Sequence, residues 1–403
     1  MTAQHNQPKT QPLTQHPPLP HARPADVGLC PERTQRLMDV LRREVAIGRL
    51  PGAVALIARR GQIGLFEAVG QQDPGMGTPM RTDSIFRIYS MTKPVVSVAV
   101  MMLMERGQLL LSDPVSRWLP EYANQQVATP NGLEPVKQAA TVQDLLRHTA
   151  GLTYEFLGES SVQKQYDQVQ IASRDRNNDT FSQTLAGLPL MFQPGSVWAY
   201  SRATDVLARL VEVVSGQTLG AFLQAEILGP LGMVDTGFAV PPEQHHRIAE
   251  PFAHDPDGGV RMAVLEPREV PALESGGGGL MSTALDYARF VHCLRNKGEL
   301  NGVRLLGAHT VDFMTSDHLG SLPSHGTLLP PGHGFGLGFA VRTHLGMAPV
   351  PGSVGLYYWG GIAGTTFFVD PALDMYAMLM IQAPNQRDYY RPLFRDMVYA
   401  ALV

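Results

Sequence analysis

Ser90 and Lys93, in the run Ile88-Tyr89-Ser90-Met91-Thr92-Lys93-Pro94, carry the most direct chemical signal in this chain. Residues three apart on a helical turn share a face, so a helix starting here makes the hydroxyl and the amine neighbours. A serine hydroxyl is a weak nucleophile at neutral pH and needs a base beside it. A lysine sunk in apolar surroundings loses part of its charge and can serve as that base. Val95 to Met104, which follow, are almost wholly apolar and would supply those surroundings. The bare S-x-x-K pattern also arises by chance in a chain of 403 residues, so the pair needs support from elsewhere.

Rival chemistries find little. The run Gly276-Gly277-Gly278-Gly279 lacks the Lys-Ser/Thr of a phosphate-binding loop and follows no clear strand, so a flexible loop near a cleft is expected. The 13 histidines, His245, His246 and His333 among them, show no zinc-helix spacing. Two cysteines, Cys30 and Cys293, make neither a zinc module nor a disulfide framework. No metal and no cofactor is therefore expected. No G-x-S-x-G elbow occurs, so a serine hydrolase here cannot use the α/β-hydrolase scaffold. No Asp or Glu is placed to orient His148 in a triad, which makes it a structural residue of its loop.

The elements that would position Ser90 and Lys93 read as follows. Leu37, Val40, Leu41 and Val45 recur at helical spacing after Pro31. Gly52–Ala58 and Ile63–Val69 flank Arg59-Arg60-Gly61-Gln62 as a hairpin. The apolar helix after Ser90 closes at Gly107. Helices and long loops then run to about Ala239, with a capping box at Thr141–Asp144, an extended polar loop over 158–180, and a helix from Ser201 to Val214. A helix over Thr283–Leu294, strands at Phe335–Val341, Thr365–Asp370 and Met375–Ile381, and a helix over Leu393–Leu402 follow. The fold class is mixed, of the α+β type. One antiparallel sheet flanked by helices is built from both termini, at residues 25–95 and 270–403, and residues 96–269 form an inserted, mainly helical domain.

Composition agrees. With 44% hydrophobic and 17% charged residues the chain can bury a large core. A net charge of −4 gives no sign of a nucleic-acid or anionic-membrane partner. Residues 1–24 hold six prolines and no apolar signal core, so a flexible tail and a cytoplasmic location are expected. Val95 to Met104 is about half the length of a membrane span. Monomer or homo-oligomer is left open.

Three further segments lift Ser90 out of the noise: Leu145-Leu146-Arg147-His148-Thr149-Ala150-Gly151-Leu152, near Tyr154; Trp198-Ala199-Tyr200-Ser201-Arg202; and Tyr358-Trp359-Gly360-Gly361-Ile362-Ala363-Gly364. In this order and at these separations the four segments resemble the serine β-lactamase-like family of penicillin-binding proteins and class C β-lactamases. Within it they look most like the family VIII carboxylesterases and the related acyltransferase of statin biosynthesis. The resemblance spans residues 30 to 400. It implies Ser90 as the acylated nucleophile, Lys93 as its activating partner, Tyr200 as the proton-handling tyrosine of a Y-x-N motif, and the N–H groups of Ser90 and Ile362 as the oxyanion hole. Tyr154 and Tyr358 either line the acyl pocket or only pack.

Two departures from the family matter. Arg202 replaces the asparagine of Y-x-N, which usually contacts a substrate amide. Trp359-Gly360-Gly361 replaces a K-T-G strand motif whose lysine attracts the carboxylate of a β-lactam; an indole offers an apolar wall and one N–H instead. The two glycines let main chain approach a substrate. The resemblance thus implies a serine carboxylesterase acting on small or short-acyl esters. Acyl transfer, or amide hydrolysis of the β-lactamase or D-amino-acid peptidase kind, is the alternative on the same scaffold. A non-catalytic binding protein fits less well, because Ser90, Lys93 and Tyr200 are all present.

Overall fold

The computed structural model describes residues 16–403. Its centre is an eight-stranded antiparallel sheet made of β1 (Gly52–Arg59), β2 (Gln62–Asp73), β3 (Thr78–Pro79), β4 (His333–Phe335), β5 (Ala340–Arg342), β6 (Tyr357–Gly360), β7 (Thr366–Asp370) and β8 (Met375–Ile381). Their spatial order is β4-β5-β6-β7-β8-β1-β2-β3, so the two ends of the chain meet at the β8–β1 pair, with Ala53 opposite Ile381 and Arg59 opposite Met375. The β1–β2 hairpin turns at Arg60 and Gly61, both at positive φ, as tight two-residue hairpins require.

Strands β1 and β8 read as continuous apolar runs because helices cover both faces of the sheet. Successive side chains alternate faces. Ala53, Ala55, Ile57, Phe368 and Leu379 pack with Leu37, Met38 and Leu41 of α1 (Pro31–Ala46) and with Tyr390, Phe394 and Val398 of the C-terminal helix. Val54, Leu56, Met378 and Met380 pack on the opposite side, against α2 (Thr92–Glu105) and the helix that contains Tyr287 and Val291.

The mainly helical region between β3 and β4 holds α3 (Val142–Leu146), α4 (Ser161–Gln168), α5 (Asn178–Ala186), α6 (Ala203–Ser215) and α7 (Ala284–Arg295); α8 (Arg387–Ala400) is the C-terminal helix. Helix α2 is apolar all round because it runs between this region and the sheet, with every residue from Thr92 to Leu103 buried. Each buried valine, leucine or methionine there is worth about 1.5–3 kcal/mol relative to exposure.

Three details differ from the sequence reading. The expected strand over Phe335–Val341 is two strands, β4 and β5, because Gly336 to Phe339 turns back: a Cβ on Gly336 would meet the Met314 carbonyl at 2.3 Å, and Gly338 lies at φ +100°. The polar stretch 158–180 contains α4 and the start of α5. Ser160 and Gln163 form a complete capping box at α4, and Val162 and Tyr166 give it a buried face. Of the expected N-terminal tail, residues 1–15 lie outside the described residues. Beyond them Leu19 is buried, and Ala22 and Pro20 exchange main-chain hydrogen bonds with Ile63. Among the described residues no single helix is long and apolar enough to cross a membrane.

Candidate active site

Ser90 sits in a short 3-10 turn, Tyr89–Met91, that runs straight into α2. Tyr89 holds φ 44°, a conformation costly for a non-glycine residue, and surrounding contacts pin it. Its hydroxyl accepts from the Leu265 N–H at 2.8 Å, and the Tyr287 hydroxyl donates to the Met91 carbonyl at 2.9 Å. The turn aims Ser90 and the first turn of α2 at the junction of sheet and helical region.

There the sequence-predicted residues converge. The Tyr200 hydroxyl donates to Ser90 Oγ at 2.7 Å, and the Trp359 indole N–H donates to Tyr200 Oη at 3.2 Å. Lys93 Nζ donates to Ser90 Oγ at 3.4 Å, to Tyr154 Oη at 2.9 Å and to the Gly277 carbonyl at 2.6 Å. Lys93 is 1% exposed, and its Nζ lies over the Tyr200 ring at 4.6 Å. Burial pulls the Lys93 pKa down to about 7; Asp205 opposes this fall and Arg202 adds to it. Burial raises the Tyr200 and Tyr154 phenols, so both are neutral. At neutral pH the group beside Ser90 that can take a proton is therefore the amine.

Each side chain is held by its element. Tyr200 precedes α6 in a segment fixed by the Ala199 N–H on the His148 carbonyl at 2.9 Å and the Arg202 N–H on the Thr153 carbonyl at 3.2 Å. His148 itself packs its ring 4.9 Å from that of Tyr200 and places Nδ1 3.1 Å from Ser201 Oγ. Burial pushes its pKa well below the ordinary value, which agrees with a structural histidine. Trp359 lies on β6, facing the site, with Phe367 opposite on β7. A Cβ on Gly361 would meet the Ile88 carbonyl at 2.4 Å. That glycine lets the turn carrying Ile362 press against the main chain two residues before Ser90. Tyr358, the next residue before Trp359, points to the opposite face of the sheet, against Arg395, and lines no part of this site.

Five contributors were not legible as such in the sequence. Tyr154, expected at most to line a pocket, is the phenol that Lys93 actually bonds. The tetraglycine run is packed rather than flexible: a Cβ on Gly277 would meet Asp205 Oδ2 at 2.5 Å and Tyr154 Oη at 2.9 Å. Asp205 anchors the run by accepting from the Gly277 N–H at 2.9 Å and from Ser275 Oγ at 2.5 Å. Arg202 is engaged by carboxylates: it pairs with Glu155 at 2.5 Å and Asp205 at 3.7 Å, and its guanidinium lies 4.7 Å from the centre of the Tyr154 ring. Arg391 of α8 donates to the Gly361 and Thr365 carbonyls behind the glycine pair. The glycine run itself was the available signal, since four adjacent residues without side chains mark a close approach of main chain.

Gly277→Ala tests this packing. The added methyl must displace Asp205 or Tyr154, at an overpacking cost of about 1–3 kcal/mol. A shift of about 1 Å at Lys93 should lower kcat about 100-fold. Circular dichroism and p-nitrophenyl acetate turnover, measured together, check it; a folded variant with unchanged kcat would show that the run has slack.

The beta-lactamase family model matches residues 37–400. The chain is similar to esterase EstB of Burkholderia gladioli, with 38% identity over 87% of this chain and 91% of that protein. It is also similar to protein Rv1367c of Mycobacterium tuberculosis, with 37% identity over 83% and 86% of the two chains. Among solved structures, EstCE1, a hydrolase with promiscuous acyltransferase activity, superposes with a TM-score of 0.79 at 30% identity, covering 91% of this chain and 98% of its own. A serine, lysine and tyrosine gathered at the start of a buried helix, on a sheet closed by both chain ends, fit these matches, and the chain belongs to the beta-lactamase family.

Proposed function

We propose that the protein is a serine carboxylesterase acting on small, short-acyl esters through an acyl-enzyme on Ser90. The observation that carries this reading is the contact set of one oxygen: Ser90 Oγ has a neutral phenol at 2.7 Å and an amine at 3.4 Å, the amine with a pKa near 7. The likeness to EstB and EstCE1 supports it.

In this mechanism neutral Lys93 takes the Ser90 proton as Oγ attacks the ester carbonyl carbon. The carbonyl π pair moves to oxygen, and the N–H groups of Ser90 and Ile362 hold that oxyanion. Each such donor is typically worth about 2.7–4 kcal/mol. As the C–O bond breaks, Tyr200 gives its proton to the departing alkoxide and regains one from the Lys93 ammonium. Water then adds to the acyl-enzyme by the same route in reverse, releasing acid and restoring Ser90. Trp359 holds the Tyr200 oxygen in line through its N–H. Tyr154, Tyr200 and Trp359, at 5%, 7% and 7% exposed, set close-packed aromatic surface around Ser90, which supports the short-acyl reading.

Trp359 in place of the family's lysine argues for esters over β-lactams. The nearest cation to this strand motif, Arg391, spends one nitrogen on two main-chain carbonyls. Turnover of p-nitrophenyl acetate and butyrate should exceed that of a chromogenic cephalosporin by orders of magnitude in kcat/KM. Faster hydrolysis of the cephalosporin would overturn the assignment. The promiscuous acyltransferase activity of EstCE1 favours one second reading, transfer to an alcohol. Ester products formed on adding short alcohols would reveal it.

A further inference from the structure

Behind β6, on the face of the sheet away from Ser90, three arginines gather without a carboxylate partner. Arg342 of β5 and Arg391 and Arg395 of α8 make no ion pair among the described residues. Arg391 and Arg395 are four apart on α8 and share a face. All three act electrostatically on the Tyr358 phenol, and Arg342 and Arg395 on each other and on Tyr399. Arg395 is only 7% exposed, yet among the described residues it makes no hydrogen bond; its guanidinium rests over the Tyr358 ring at 4.4 Å and Phe368 at 5.2 Å. Its guanidinium nitrogens keep some contact with solvent.

Among the described residues no neighbour pairs with these guanidiniums at ion-pair distance. Arg342 donates from Nε to the His344 carbonyl and from Nη1 to the Val350 carbonyl, which leaves Nη2 free. Arg391 donates from Nη2 only, and its Nε is buried and unpaired. Asp370 is the buried carboxylate nearby, and its Oδ2 is taken by the Ser353 N–H and the Tyr399 hydroxyl. Asp396 and Asp388 are exposed, and Asp388 pairs with Arg387. His333, whose ring meets Tyr358 edge-on at 5.4 Å, is kept neutral by burial. No carboxylate oxygen bonds the three guanidiniums: Asp396 and Asp388 act on Arg395 and Arg391 without pairing with them, and Asp370 Oδ1 is buried without a partner. Unpaired buried charge is expensive, and a bound anion removes the expense. Guanidinium forks match the paired oxygens of phosphate-type anions.

We propose that Arg342, Arg391 and Arg395, where β5, α8 and the loop over 344–355 meet, form a binding site for a small dianionic oxyanion of the phosphate class. The shared chemistry is the tetrahedral dianion, whether it comes as free phosphate or as the head of a phosphomonoester. The site meets the chemistry at Ser90 at β6 and at Arg391, which holds the glycine pair from behind, but it needs no ester chemistry and stands whether or not the protein is an esterase.

Isothermal titration calorimetry of the full chain with inorganic phosphate, at ionic strength fixed with sodium chloride, tests it. One saturable site is expected, with sulfate competing and acetate not. Arg395→Gln should weaken binding at least tenfold and leave ester turnover unchanged; Arg395→Lys, which keeps the charge and loses the fork, should fall between. Phosphate also stabilises proteins generally by exclusion from their surface, but that effect does not saturate and is indifferent to Arg395. No saturable heat with phosphate, or equal affinity in whichever of the two variants folds, would overturn the proposal. A phenyl phosphate titration then separates the sources, since only a site open to esters binds it.

Discussion

Ser90→Ala should take up no mass from a fluorophosphonate that adds one equivalent to the wild-type chain, and its ester turnover should fall by roughly 10⁴–10⁶-fold, the scale seen when a catalytic serine is removed. The reagent needs a serine activated by a base. Among the described residues the serine bonded to a partly neutral amine is Ser90, whose oxygen lies between Tyr200 and Lys93. Removing one oxygen from a turn that the Tyr287 and Thr92 contacts hold from outside should leave the fold intact. Intact-mass spectrometry with matched circular dichroism checks both statements. Labelling that persists in Ser90→Ala would move the nucleophile elsewhere and remove the basis of the proposed mechanism.

Lys93→Met should abolish turnover and yet make the protein more stable. Burial holds the Lys93 pKa near 7, below its usual 10.5. A base whose folded pKa is depressed destabilises the fold wherever its unfolded form is protonated. The penalty is complete below about pH 7 and disappears as pH rises from there toward 10.5. At about 1.4 kcal/mol per unit it amounts to several kcal/mol at pH 6. Methionine fills the same unbranched space without the charge. Calorimetric Tm should therefore be higher for the variant at pH 6, with the gap narrowing by pH 9. In the wild type the same titration appears in catalysis with the opposite sense: kcat/KM should rise with pH through a limb near 7, because the amine must be neutral to accept the Ser90 proton. Tyr200, its phenol raised by burial, adds no limb in that range. A variant less stable than wild type at pH 6, or a wild-type profile flat from pH 5 to 9, would show that Lys93 is not the titrating base.

Much of this was open to a reader of the sequence, and the limits were physical. Local signals were legible: the continuous apolar run of β1, the all-apolar α2, and the Thr141–Asp144 capping box depend on residues close in the chain. The S-x-x-K pair was legible because it lies on one turn. Tyr200 and Trp359 could be placed near it only through resemblance, since no local rule brings residues 110 and 159 positions apart to one oxygen. The pairing of Lys93 with Tyr154 rather than Tyr200 was out of reach, because two phenols stand within about 5 Å of the same amine and side-chain packing alone chooses between them. The tetraglycine run misled through composition, which speaks for flexibility. What governs it is Asp205, which no spacing connects to it. Arg202 looked like a lost asparagine, and only the nearby Glu155 and Asp205 explain how a cation is tolerated there.

The meeting of both chain ends in β1 and β8 has a consequence for how the molecule forms. Ala53 finds Ile381 only after nearly the whole chain exists, so the centre of the sheet is among the last parts that a growing polypeptide can complete. Until then β1 exposes an unpaired edge and two apolar faces, the condition under which nascent chains aggregate. The β1–β2 hairpin and the helical region close through nearer contacts and can wait in that state. Ser90 lies between them, and its neighbour Trp359 arrives with the last strands. The chemistry of the site is thus assembled only when the ends of the chain join, and a chain cut short before β6 would carry Ser90 and Lys93 without the indole that fixes Tyr200.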